Sequence, residues 1–292
     1  MLPGSVYRVP GLDRKTGLGY NTQMEVSPMK KAIYTVTIFV LLVVFGVSAF
    51  MVGRYIINGR QQAQNYEELA QMREEIRQEN EATMAATQPT EADVPTEPTE
   101  PRMLAEYAAV YEQNPDLVGW IQIDGTDLDY PVMHTPDRVD YYLKRDFFGQ
   151  QSDWGCIYIR EQCDMFEPSD NITVYGHTMR DGSMFACLHD YLDKETWEYN
   201  PLIFFDTLYE YHCYKIFAVF TTTASVGEGF TYHQMVDAES EADFNEFIAT
   251  CKDLAVYDTG ITPVYGDKVI CLSTCEYTLD NGRLVVAAVR IT

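Results

Sequence analysis

A chain of 292 residues with 21 Lys and Arg against 44 Asp and Glu carries a formal net charge of -23. Such a surface lacks the clustered cations needed to neutralise phosphates, which excludes nucleic acid as a partner. With 46% hydrophobic and 13% aromatic residues the chain has material for a packed core, and its seven cysteines are too sparse for a disulfide scaffold, their odd number leaving at least one free thiol.

In chain order, residues 1–31 form a basic-flanked lead-in that ends at Lys30 and Lys31, with Arg8, Arg14 and Lys15 further back. Residues 32–53, AIYTVTIFVLLVVFGVSAFMVG, are uncharged and apolar. As a helix they span roughly 33 Å, enough for the hydrocarbon core of a bilayer. A cleaved signal peptide is the competing reading; the length of the run and its Gly-Arg-Tyr exit favour an uncleaved anchor. Arg54 and Arg60 flank the far end, and the positive-inside rule favours a cytoplasmic N-terminus, placing the large C-terminal part outside the cell as a single-pass membrane protein.

Residues 54–101 read as a stalk. Up to residue 86 they are rich in Glu, Gln, Arg and Ala with few apolar positions, which predicts a solvated helix. Gln88 to Pro101, QPTEADVPTEPTEP, cannot bury a core and predicts an extended tether.

The folded domain is expected over residues 102–292. It opens with a helix presenting Leu104, Tyr107, Ala108 and Tyr111 on one face and stopped at Asn114-Pro115. Strands are expected at Val118 to Ile123, Leu128 to Met133, Gly155 to Ile159, Asn171 to Tyr175, Leu202 to Thr207, Tyr211 to Thr222, Lys268 to Ser273 and Arg283 to Ile291. Ala238 to Leu254 breaks the pattern, with Phe244, Phe247, Ile248 and Cys251 at helical spacing and acidic residues in its first turn, so a helix is expected between two late strands. So many strands with little helix predict a mainly β fold, a closed or nearly closed barrel.

Cys275 ends the apolar run VICLSTC, which suits a buried central strand. Asp280-Asn281-Gly282 is a turn signal, and Arg283 opens the next β-rich run, so a hairpin brings Cys275 and Arg283 together at one end of the barrel. A free thiol with a pKa of about 8.5 is only slightly ionised at neutral pH and needs a base or a cation beside it. His177, where the strand-like NITVYG gives way to a loop, is the candidate acid/base. Arg283 stays protonated and is suited instead to donating hydrogen bonds to an oxyanion. Nucleophile, acid/base and oxyanion donor make an acyl-transfer set.

The pieces VYGHTMRDGSMF, ICLSTCEY and GRLVV resemble the His-containing motif, the Thr-Leu-x-Thr-Cys motif and the following Arg of sortases. GWIQIDGTDLDYPVMH and DYYLKRDFFG are similar to class B members in particular. The resemblance covers residues from about 117 to 292. It implies a closed eight-stranded sortase barrel with an N-terminal helix and a helix inserted between two late strands. It also implies catalytic roles for His177, Cys275 and Arg283. The expected reaction is cleavage of a Leu-Pro-x-Thr-Gly-like or Asn-Pro-x-Thr-like sorting signal after Thr, through a thioacyl enzyme on Cys275 resolved by a cell-wall precursor amine. Partners are then signal-bearing surface proteins, the peptidoglycan precursor and the bilayer; no cofactor and no metal is implied. Cys271 stands in the motif where the family often has Thr, with no catalytic consequence expected.

Ser273, Thr274 and Glu276 flank the nucleophile and are candidates for shaping a substrate groove, with the 238–254 helix as one wall. A membrane-tethered cysteine protease and an inactive binding scaffold of the same fold are the alternatives. The tether favours transpeptidation, because it holds the site near membrane-borne acceptors. Cys187, Cys213, Cys251 and Cys271 are expected as small core residues, whereas Cys156 and Cys163 are open between a disulfide and two thiols. His134, His189, His212 and His233 are expected in core or solvated roles. Arg290, seven residues beyond Arg283 and about 23 Å away, is expected on the opposite face.

Overall fold

The computed structural model describes residues 28–86, 102–225, 227–276 and 278–292. The expected cytoplasmic segment up to residue 27 and the tether over 87–101 lie outside the described residues. Helix α1, Pro28–Ala86, runs through 59 residues and belongs to two compact units, residues 1–55 and 56–292. In the first unit its apolar side chains, Phe39, Leu42 and Phe45 among them, are exposed, and the helix is long and apolar enough to cross a membrane.

The second unit departs from the solvated stalk that the composition of residues 55–86 predicts. Gln62, Tyr66, Leu69 and Arg73 recur on one face of α1 and are buried. The Tyr66 hydroxyl donates to the Gly155 carbonyl at 2.9 Å. The Arg73 guanidinium lies 4.5 Å from the ring centroid of Trp120 and 3.1 Å from Asp129. Gly59 lies so close to Trp154 that a Cβ there would come within 2.7 Å of the indole. Two of the four buried α1 residues are polar, so periodic hydrophobicity does not reveal the face.

Helix α2, Ala105–Gln113, leads into β1 (Leu117–Gln122) and β2 (Asp129–His134), followed by β3 (Ile157–Ile159) and β4 (Asn171–Tyr175). After a 3-10 helix at Ala186–Leu192 and helix α3 (Lys194–Tyr199) come β5 (Leu202–Thr207), β6 (Cys213–Thr223), helix α4 (Glu241–Leu254), β7 (Val269–Cys275) and β8 (Gly282–Arg290). The strands close a barrel in the order β1-β2-β3-β4-β7-β8-β6-β5. Pairing is antiparallel except at β2–β3 and β4–β7. All eight strands and both helices expected in the domain are present. β3 starts two residues later than expected, because Gly155 adopts a positive φ and the Cys156 amide is taken by the Tyr142 carbonyl.

β7 and β8 read as continuous apolar runs because both of their faces are covered. Ile270, Leu272, Leu284, Val286 and Ala288 point into the barrel core. Val269, Cys271, Val285, Ala287 and Val289 point the other way, into a second core that α4 closes with Phe244, Phe247, Ile248 and Cys251. The Ser240 hydroxyl caps α4 by accepting from the Asp243 amide.

Candidate active site

Strand parity sets the face on which Cys275 and Arg283 stand. Cys275 shares a face with Cys271, and Arg283 with Val285, so both emerge on the α4 side of the sheet, beyond the end of the second core. The two are directly paired across the β7–β8 ladder. The turn that joins them is held by Glu276, whose carboxylate accepts from the Thr278 amide at 2.9 Å, the Thr278 hydroxyl at 2.8 Å and the Leu279 amide at 3.1 Å. Asn281 turns through a left-handed φ of 50°, and the Glu276 amide closes the loop onto the Gly282 carbonyl at 3.0 Å.

His177 reaches the same place from β4. The parallel ladder ends with Tyr175 beside Ser273, and the Gly176 amide donates to the Ser273 carbonyl at 3.2 Å. A Cβ on Gly176 would sit 2.6 Å from both Ile157 and Phe185, so only glycine lets the chain leave the strand here. The His177 ring places Nε2 2.8 Å from the Leu143 carbonyl. A carbonyl only accepts, so Nε2 carries the proton and Nδ1 keeps the lone pair. Burial lowers the His177 pKa from its ordinary value; the Leu143 bond opposes this and the nearby Lys144 charge adds to it. The environment thus favours the neutral imidazole.

A groove of about 350 Å³ is lined by His177, Cys275 and Arg283 together with Leu143, Arg160, Tyr175, Tyr232 and His233. The Arg283 guanidinium is steadied by its Nη1, which donates to the Gly282 carbonyl at 2.9 Å and the Asn281 carbonyl at 3.3 Å. Arg160 brings a buried Nη1 with no hydrogen-bond partner among the described residues. Ser273 and Thr274 line the groove yet are buried, Ser273 against the Tyr232 hydroxyl at 2.5 Å and Thr274 against the Thr178 hydroxyl at 2.8 Å. Glu276 faces its own turn.

The other thiols are held elsewhere. Cys156 and Cys163 are both free, so of the two alternatives the reduced pair is realised. The Cys156 sulfur accepts from the Tyr66 hydroxyl at 3.2 Å, and burial pushes both thiols' pKa values up. Cys251 and Cys271 are buried in the second core, while Cys187 and Cys213 are half-buried. Among the histidines, His134 and His212 are buried and His233 lines the groove, where burial and the charges of Arg160 and Arg283 lower its pKa. The fifth, His189, contacts the Cys275 carbonyl through Nε2 at 3.1 Å. Neither contact was legible, since nothing local in the sequence links residue 189 or 233 to the hairpin. A larger hollow of about 850 Å³ is lined by Asp124, His189, Lys194, Tyr199 and Tyr257 and by no cysteine, whereas the smaller groove brings Cys275, His177 and Arg283 together.

A family model described as a sortase domain matches residues 121–291. Sortase B of Listeria monocytogenes serovar 1/2a is 32% identical over 182 residues, 61% of this chain and 71% of that protein. Sortase B of Staphylococcus aureus is 26% identical over 258 residues, 88% of this chain and 94% of that protein. A solved Staphylococcus aureus sortase B–substrate complex superposes with a TM-score of 0.68 at 26% identity, over 81% of this chain and 99% of that one.

Proposed function

We propose, from the premise that this chain belongs to the sortase family as a class B member and is a cysteine transpeptidase, that Cys275, His177 and Arg283 carry its reaction. The observation behind this reading is the direct pairing of Cys275 with Arg283 in a groove that His177 also lines. Neutral His177 takes the thiol proton, through Nδ1 while Nε2 stays on Leu143. The sulfur attacks the carbonyl carbon of the Thr in a Leu-Pro-x-Thr-Gly-like or Asn-Pro-x-Thr-like signal. Arg283 donates to the oxyanion of the tetrahedral intermediate. Collapse breaks the peptide bond, His177 returns the proton to the departing amine, and a thioacyl enzyme remains. A cell-wall precursor amine then attacks, loses a proton to His177, and releases Cys275 as the thiol.

Ser273 and Thr274 shape the floor of the groove from buried positions, and Glu276 acts through the turn. The unpartnered Arg160 Nη1 needs an acceptor, which a substrate carbonyl supplies. The apolar stretch 32–53 within α1 serves as a single-pass anchor with the N-terminus inside, which puts the groove outside the cell beside membrane-borne acceptors.

The test is incubation of the full chain in detergent with quenched-fluorescent peptides of both signal types, with and without an amine acceptor, beside Cys275→Ala. Cleavage lost in the variant together with an amine-linked product supports the reading. Water-resolved product alone makes the chain a protease, and no cleavage or adduct at Cys275 leaves an inactive binding scaffold.

A further inference from the structure

His189 stands outside the reaction just described, in the 3-10 helix Ala186–Leu192, yet its ring reaches the nucleophile's main chain. Nε2 is 3.1 Å from the Cys275 carbonyl oxygen and 3.1 Å from Oγ1 of Thr178. The Thr178 hydroxyl lies 2.8 Å from that of Thr274 and 3.5 Å from the Cys275 carbonyl. Since the carbonyl only accepts, Nε2 of His189 is its donor.

The ladders explain why that carbonyl needs a side chain. Along β7, the Ser273 carbonyl takes the Gly176 amide of β4. Two residues on, the Cys275 carbonyl points to the same side by strand periodicity. There β4 has already ended at Tyr175, and the chain has turned away at Gly176. On the other flank the Glu276 amide, not a Cys275 group, closes onto β8. Among the described residues the Cys275 carbonyl meets side chains where a strand rung would otherwise stand, the His189 imidazole at 3.1 Å and the Thr178 hydroxyl at 3.5 Å.

The same nitrogen touches Thr178, the residue after His177, so one imidazole references both the nucleophile and the acid/base segment. Leu188 and Tyr191 bury the flanks of His189 in the barrel core, which gives the ring a fixed base. The ring also lines the open 850 Å³ hollow, so shortening it seals no cavity in the core.

We propose that His189 is a positioning residue of this enzyme: by donating to the Cys275 carbonyl in place of a strand rung, and by holding Thr178, it keeps the thiol aligned with His177 and Arg283. The proposal rests on the assignment of Cys275 as nucleophile.

The test uses the full chain in detergent with His189→Leu, which removes the donor, and His189→Gln, whose amide donates from a similar reach. Peptide kcat and KM are measured beside the rate at which iodoacetamide alkylates Cys275, read by mass spectrometry because the chain has seven cysteines. A small alkylator needs no alignment with His177 or Arg283, whereas acylation does. The expected result is about a tenfold fall in kcat for His189→Leu, with KM and the alkylation rate within about twofold of wild type, and recovery in His189→Gln to within about threefold. An unchanged kcat in folded His189→Leu overturns the proposal. So does a loss of kcat, KM and alkylation together that tracks melting temperature, or a His189→Gln variant no better than His189→Leu. Cleavage that survives Cys275→Ala removes the underlying assignment instead, so the two failures are distinguishable.

Discussion

Replacing Arg73 by Ala tests the packing of α1 on the barrel, which composition alone does not reveal. The guanidinium is buried, stacks on Trp120 with 4.5 Å to the ring centroid, and reaches Asp129 at 3.1 Å. A desolvated cation–π contact contributes about 1–2 kcal/mol. The ion pair adds little by itself, because the Asp129 side chain is 36% exposed. Loss of the buried alkyl stem adds about 1 kcal/mol, so the total is about 2–3 kcal/mol. For a unit of this size each kcal/mol moves the melting temperature by roughly 2–4 °C, which predicts a fall of about 4–12 °C. Differential scanning fluorimetry in detergent, with Glu75→Ala on the exposed face as the comparison, reads this directly. A melting temperature for Arg73→Ala within 1 °C of Glu75→Ala would refute the reasoning and return α1 to the role of a solvated stalk.

Arg283→Ala is expected to lower kcat about a hundredfold with KM changed by less than about threefold, and Arg283→Lys to recover only part of it, since a point charge lacks the planar donor pair. A rise in KM with kcat preserved would assign Arg283 to ground-state binding instead. The depressed His177 pKa places the acid limb of kcat/KM below the ordinary value of 6.5, and Lys144→Ala, which removes a charge that lowers it, moves that limb upward. The same depression means that the folded state binds fewer protons than the unfolded one. Its stabilising contribution is therefore complete above pH 6.5 and declines as pH falls from there to the folded value, a trend that urea titrations at several pH values check against His177→Ala. Glu276→Ala removes the acceptor of three turn hydrogen bonds and is expected to cost about 2–3 kcal/mol and to lower kcat more than it raises KM. A rise in KM alone would make Glu276 a substrate contact.

How much of this was legible in the sequence follows from what local patterns encode. β7 and β8 announce themselves because apolar residues on both faces leave no other element that fits, and the Asp280-Asn281-Gly282 signal fixes their hairpin. α4 shows its buried face through Phe244, Phe247, Ile248 and Cys251. The direction of a polar side chain beside Cys275 is not encoded in that way. Glu276 adjoins Cys275 in the chain, yet its carboxylate turns into its own loop because three donors converge there. Gln62 and Arg73 look solvated in a charged segment, and only the presence of Gly155, Trp120 and Asp129 makes them buried. His189 depends on a contact 86 positions away, which no spacing rule reaches.

The two faces of β7 divide the work of the site. Ser273 and Cys275 share the face of Cys271, where Tyr232 and α4 stand. Thr274 belongs to the opposite face with Leu272, and there it meets Thr178 beside His189. Ser273 and Cys275 line the groove together with Tyr232, and Thr274, which also lines it, is tied by its hydroxyl to Thr178. Substitutions at Tyr232 or Arg160, which line the groove, should therefore register first in KM and in the choice of signal peptide, whereas substitution of Thr178, which does not line it, should register in kcat with the signal preference unchanged.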